Sequence, residues 1–132
     1  MIQRERQWQP VRLGPDVPPP AGAYSPAARA GGFVFVSGQV PRDPVTGQLV
    51  GDDVESQTRQ VMKNAERALR AAGAELSDVV SVTVYLANID DWGRFNVVYK
   101  EIMPEPYPTR TALGADLRGI LVEVSVVAYT GA

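Results

Sequence analysis

DVESQTRQVMKNAERALRAAGAELSDVVSVTVYLAN, residues 53–88, changes its hydrophobic period part-way along. Up to Ala72 the apolar positions Val54, Val61, Met62, Ala65, Ala68, Leu69 and Ala72 recur at helical spacing. Asp53 stands where an N-cap belongs, and Gly73 where a helix stops. From Val79 to Asn88 the run is β-branched, with Val80, Val82, Val84 and Leu86 on one face. The other face is apolar enough to predict burial on both sides. The segment therefore predicts a long helix followed by a central strand.

Upstream of it, Tyr24–Arg29 and Phe33–Val40 read as two strands joined by the compact connection Ala30-Gly31-Gly32. A loop with tight turns follows, from Pro41 to Gly47. Pro10, Pro15, Pro18, Pro19 and Pro20 make residues 1–22 a lead-in, with one short strand around Gln3–Gln9. Downstream, Asp90 or Asp91 caps a second helix whose stripe is Trp92, Phe95, Tyr99 and Ile102, and Pro104 ends it. Thr109–Gly114 and Ile120–Tyr129 complete the chain as strands. This order predicts a single α+β domain over residues 1–132, a two-layer sandwich with both helices on one face of a mixed sheet. The opposite face, carrying Thr83, Tyr85, Leu121, Val127 and Tyr129, is too apolar to leave wet. Self-association into a closed symmetric oligomer is its simplest cover.

Composition narrows the chemistry. The 132 residues include neither cysteine nor histidine, which removes Ser-His-Asp triads, cysteine nucleophiles, disulfides and zinc sites of the usual nitrogen and sulfur kind. With 13 Lys+Arg against 15 Asp+Glu and a pI near 5.1, nucleic acid is not an expected partner. Only the start is basic, and Arg4, Arg6 and Arg12 read there as solvated side chains. Neither a secretory signal nor a membrane span is legible, so a cytoplasmic location is expected. No phosphate loop or dinucleotide fingerprint occurs. Asp52, Asp53, Asp90 and Asp91 read as helix caps rather than metal ligands, and no metal or cofactor is called for.

One carboxylate stands out by pattern. Glu123 sits mid-strand in Ile120-Leu121-Val122-Glu123-Val124-Ser125-Val126-Val127-Ala128. A buried carboxylate raises its pKa, gains a partner or faces a wet site. An exposed Glu on an edge strand is instead a normal guard against aggregation. Both readings stand open on pattern. The candidate cation is Arg110, thirteen positions earlier, which a turn near Gly114–Gly119 would bring to the same end of an antiparallel pair. Its planar fork suits a carboxylate, on a substrate or on an ordinary ion-pair partner.

An ordered set of short motifs carries a family likeness. Gly22-Ala23-Tyr24-Ser25-Pro26-Ala27, Val36-Ser37-Gly38-Gln39, Gln57-Thr58 with Asn64, Val84-Tyr85-Leu86, Asn96 with Tyr99, Pro108-Thr109-Arg110 and Val122-Glu123-Val124 resemble the Rid (reactive intermediate deaminase) family. These proteins are also called YjgF-type or endoribonuclease L-PSP proteins, and the likeness runs from about Gly22 to Ala128. The resemblance implies a chorismate-mutase-like subunit in a homotrimer, its sheets forming a central barrel with clefts between subunits. In the family's deaminases these clefts hydrolyse imines and enamines of amino acids, such as 2-iminopropanoate, to 2-keto acids and ammonia without a cofactor. By position, Arg110 resembles the residue that holds the substrate carboxylate and Glu123 the acid that activates water. Tyr24, Ser37, Gly38 and Asn96 match cleft residues.

The chain also departs from the family's pattern. Ala23 stands where relatives commonly have Pro, Pro26 where they have Gln, and Ala112 where many have Cys, and the loop between Arg110 and Glu123 looks short. These departures bear on substrate size. They leave open a deaminase of a bulkier enamine such as 2-aminomuconate or a pyrimidine-breakdown intermediate. The other readings are a non-catalytic trimer that binds small carboxylates and an endoribonuclease or translation inhibitor.

Overall fold

A computed structural model describes residues 4–131. Six strands, β1 (Gln9–Val11), β2 (Ala27–Ala30), β3 (Phe33–Gln39), β4 (Val79–Leu86), β5 (Thr109–Gly114) and β6 (Val122–Tyr129), form one sheet in the order β1-β2-β3-β6-β4-β5. Every pairing is antiparallel except β4 with β5. Helices α1 (Val54–Ala71) and α2 (Trp92–Ile102) pack together over one face. This is the two-layer α+β architecture that the element order predicts.

Local chemistry sets the ends of α1. The Asp53 carboxylate accepts from Ser56 N–H at 2.7 Å, satisfying a first-turn donor. At the other end Ala74 N–H donates to Leu69 C=O and Gly73 N–H to Arg70 C=O. That paired arrangement needs a left-handed residue, and Gly73 supplies it at φ +84°. Val61, Met62, Ala65, Ala68 and Leu69 are buried along the inner face of α1, against Val34 and Val36 of β3 and Val122, Val124 and Val126 of β6.

Several expectations change in detail. The lead-in strand lies at Gln9–Val11, where Val11 pairs with Ala27, rather than around Gln3–Gln9; Gln3 falls outside the described residues. Tyr24, Ser25 and Pro26 precede β2, whose pairing begins after the proline at Ala27. In β4 a register shift between Val79 and Ser81 turns Val80 outward, so the buried set is Val79, Val82, Val84 and Leu86. Strand β4 has neighbours on both sides, but β3 and β6 occupy the middle of the sheet. In α2 the buried positions are Phe95, Val98 and Tyr99, while Trp92 stays exposed at the rim. Asp91 holds the N-cap position of α2 as expected, though without a side-chain cap bond, and the short 3-10 turn Ile89–Asp91 before the helix is capped by the Asn88 side chain.

The face away from the helices carries Phe33, Phe35 and Tyr129, each between 43% and 47% exposed, with the Phe33 and Tyr129 rings 4.8 Å apart. Thr83, Tyr85 and Val127 beside them are half-buried. Leu121, expected there too, precedes β6 and packs against the core, with its N–H held by the Gln57 side chain at 2.8 Å.

Candidate active site

The central difference from the sequence reading concerns Arg110 and Glu123. Strands β5 and β6 are not neighbours, because β4 lies between them. In register Arg110 sits opposite Val82, whose side chain faces the helices, whereas Glu123 sits opposite Tyr85 on the open face. Within one chain the two residues therefore stand on opposite faces of the sheet. The parallel crossover through α2 returns β5 to the far side of β4, so no β5–β6 hairpin forms.

Two separate clusters result. The first surrounds Glu123, and it rests on an irregularity of β3. Val36 pairs with Val126 but Gln39 with Val124, so an extra residue bulges at Ser37-Gly38. Ser37 fastens the bulge to the preceding loop, its N–H donating to Pro26 C=O at 3.0 Å and its hydroxyl to Ser25 C=O at 2.6 Å. Tyr24, next to that anchor, is exposed. Gly38 has no side chain where the Glu123 carboxyl lies: a Cβ there would overlap Oε2 and stand 3.0 Å from Cδ. The missing Cβ is thus the space that Glu123 occupies. Glu123 is half-buried on an interior strand, and among the described residues it has neither an ion pair nor a side-chain hydrogen bond. Burial alone pushes its carboxyl above the ordinary value of 4.5. The edge-strand reading of Glu123 is therefore excluded.

The second cluster surrounds Arg110. Its Nη1 donates to Asn96 Oδ1 at 2.8 Å. Its guanidinium carbon lies 4.7 Å from the Tyr99 ring centre, 5.6 Å from that of Trp92 and 5.9 Å from that of Phe95. Three rings from successive turns of α2 thus box one cation, an attractive arrangement for a planar guanidinium. No carboxylate among the described residues pairs with it. Arg110 also borders a cavity of about 440 Å³, walled with it by Asn96, Tyr99, Lys100, Tyr107 and Pro108. Tyr99 is buried, its hydroxyl has no partner, and burial pushes that phenol above its usual 10.0. The stripe Trp92, Phe95 and Tyr99 was legible as a helix face, but not as the holder of Arg110. The signal was Asn96 within that stripe, a polar residue one position after Phe95.

The structure thus groups Tyr24, Ser37, Gly38 and Glu123 on one side, and Asn96 with Arg110 on the other. Tyr24 and Gly38 also border a larger cavity of about 550 Å³, roofed by the proline-rich lead-in. No group of three or more acidic side chains among the described residues is placed to hold a metal ion, and no helix among them is long and apolar enough to cross a membrane. Chemically, the first cluster offers a carboxyl group ready to exchange a proton, and the second a fixed cation ready for an anion.

Comparison with known proteins bears on the family and the fold. Residues 15–130 match the family model described as endoribonuclease L-PSP. A RutC family protein of Pyrococcus horikoshii is 43% identical over 116 residues, covering 86% of this chain and 92% of that protein. A rat protein named 2-iminobutanoate/2-iminopropanoate deaminase is 38% identical over 116 residues, covering 86% and 85% respectively. Among solved structures, a putative endoribonuclease L-PSP from Entamoeba histolytica superposes with a TM-score of 0.85 at 37% identity, covering 92% of this chain and 98% of that one. The ordered motifs, the sheet order and these matches place the chain in the endoribonuclease L-PSP family, the Rid or YjgF group.

Proposed function

We propose that the protein hydrolyses imines and enamines of amino acids to 2-keto acids and ammonia, as a homotrimer whose sites lie between subunits. The observation that carries this reading is the separation of two unpaired groups, Arg110 on the helix face of an edge strand and Glu123 on the open face. Each is half of a site. Arg110 of one subunit, aligned by Asn96 and the α2 rings, grips the substrate carboxylate with two parallel N–H bonds. Glu123 of the neighbouring subunit, over Gly38 and beside Tyr24 and Ser37, orders the water. The exposed Phe33, Phe35 and Tyr129 become the contact between subunits.

The chemistry balances without further groups. The Glu123 carboxylate takes a proton as water adds to the protonated imine carbon, giving a carbinolamine. It returns that proton to nitrogen and takes up the hydroxyl proton as the carbon–nitrogen bond breaks, releasing ammonia and the keto acid, and then passes this last proton to the departing ammonia, which leaves as ammonium. Burial raises the proton affinity of Glu123 towards the working pH, where such transfer is most effective. Alignment supplies much of the rest, since the imine is already electrophilic. The rat relative's name supports the reaction class.

The test generates imines with an amino acid oxidase and follows keto acid appearance. The protein speeds release, and Arg110→Ala loses the gain. Equal rates for wild type, variant and buffer across several imines would remove the enzymatic reading, leaving a carboxylate-binding trimer, which shows ligand-induced thermal stabilisation without turnover.

A further inference from the structure

Tyr85 of β4 stands directly opposite Glu123 of β6, in one register row of the open face. Its neighbours in sequence, Val84 and Leu86, are buried under the helices, which fixes Tyr85 on the other side of the sheet. Opposed residues of an antiparallel pair hold their Cβ atoms about 4.5–5.5 Å apart. Tyr85 therefore flanks the carboxyl from β4, as Gly38 does from β3. The row ends on β5 with Leu113, which pairs with Tyr85 and offers it no polar atom.

In the single chain Tyr85 is half-buried. Where neighbouring subunits cover the open face, its hydroxyl loses water and needs a polar partner. Leu113 cannot supply one. Thr83 and Ser125, paired in the next row, carry short hydroxyls close to the backbone. Strand side chains stand roughly perpendicular to the sheet, and a tyrosine is longer than a glutamate, so the phenol oxygen reaches further out than the Glu123 carboxyl. That is the level of a molecule lying over the carboxyl. On the β3 side Ser37 has spent its proton on Ser25 C=O at 2.6 Å, and Tyr24 lies outside the sheet, on the loop before β2. A substrate whose carboxylate is held by Arg110 and whose reacting carbon lies over Glu123 still has its nitrogen to place. A phenol can accept from a protonated imine N–H and donate to a carbinolamine nitrogen or a keto oxygen. One hydroxyl thus serves each stage without transferring a proton.

We infer that Tyr85 is a further catalytic residue, its hydroxyl hydrogen-bonded to the nitrogen of the imine on the β4 side of Glu123. The inference rests on the deaminase reading with its covered open face. The experiment uses Tyr85→Phe, which keeps the ring and removes only the hydroxyl. For oxidase-generated imines kcat should fall about tenfold or more, with KM within about twofold of wild type, since the bond strengthens as charge develops on nitrogen. Wild-type kcat in Tyr85→Phe overturns the inference while leaving the deaminase intact. A second readout needs no turnover. In calorimetry pyruvate, whose keto oxygen stands in for the imine nitrogen, binds wild type several-fold more tightly than propionate, and Tyr85→Phe removes that advantage. A merely structural hydroxyl would weaken both acids alike and leave their ratio unchanged. That result, or equal binding of the two acids by wild type, refutes the contact. If wild type hydrolyses no imine, the deaminase reading fails, and the pyruvate–propionate comparison still decides the place of Tyr85.

Discussion

Replacing Gly38 by alanine tests the link between the β3 bulge and Glu123 with one methyl group. Gly38 has no positive φ, so alanine strains nothing in the backbone and gains about 0.4–1 kcal/mol from a stiffer unfolded chain. The added Cβ overlaps Glu123 Oε2 and lies 3.0 Å from Cδ and 3.3 Å from Cγ. Glu123 must swing away, at an off-rotamer cost of about 0.5–1.5 kcal/mol. These terms nearly cancel, so the midpoint of urea unfolding moves little. Activity responds differently, because a misplacement of about 1 Å in a reacting group costs on the order of a hundredfold. Gly38→Ala is therefore expected to keep wild-type stability within about 1 kcal/mol and to lose about a hundredfold in kcat/KM for imine hydrolysis. Since the loss acts through Glu123, Glu123→Gln adds little in the Gly38→Ala background, as residues in contact are not additive. Wild-type kcat/KM in Gly38→Ala, or losses that simply multiply in the double variant, would refute the coupling.

Tyr99→Phe keeps the ring under Arg110 and removes a buried hydroxyl without a partner, so urea unfolding should show unchanged or higher stability, by about 1 kcal/mol; a loss of that size would show that the hydroxyl has a partner in the assembly. Phe35→Glu places a charge on the exposed aromatic face, and sedimentation should show the proposed trimer of the 14.3 kDa chain giving way to folded monomers; a trimer unshifted by the substitution would put the interface elsewhere. For Glu123 the folded pKa is raised, so the folded state holds its proton to higher pH than the unfolded chain and stability falls as pH rises through that window. Glu123→Gln should therefore be more stable than wild type at neutral pH, with the difference vanishing below the ordinary glutamate value of 4.5; a variant less stable at pH 7 would reveal a cationic partner for the carboxylate.

How much of this was legible in the sequence depends on the range of the forces involved. Helix α1 was readable with both ends, because its spacing, its Asp53 cap and its Gly73 stop act within a few residues. Strand β5 was readable to the residue for the same local reason. Local pattern failed where one residue changes the phase: the bulge at Val79–Ser81 turns Val80 outward, and nothing in five consecutive apolar or small residues announces it. It failed again where pairing is remote. Thirteen positions between Arg110 and Glu123 suggest a hairpin, yet the parallel β4–β5 pair satisfies the backbone of β5 and leaves β6 to fill the gap between β3 and β4.

That remote choice has the larger functional consequence. A hairpin would have let one subunit hold an Arg–Glu pair, and the guanidinium would have lowered the carboxyl pKa and neutralised both groups. By putting a strand and a sheet face between them, the topology keeps the carboxyl free to take up a proton and the guanidinium free to take an anion. In the proposed trimer the two meet only across a subunit boundary, with a substrate carboxylate between them to absorb the charge of Arg110. The resemblance pointed to the two residues individually, but only the sheet order explains why a single chain leaves both unsatisfied. The same separation predicts complementation. Mixing Arg110→Ala and Glu123→Gln chains in refolded trimers should restore sites that join an intact Arg110 from one parent to an intact Glu123 from the other. At equal mixing with random assembly about a quarter of the boundaries carry such a site, so roughly a quarter of wild-type kcat should return, at unchanged KM. A mixture as inactive as its parents would place both residues in the same subunit's site and undo the two-chain argument.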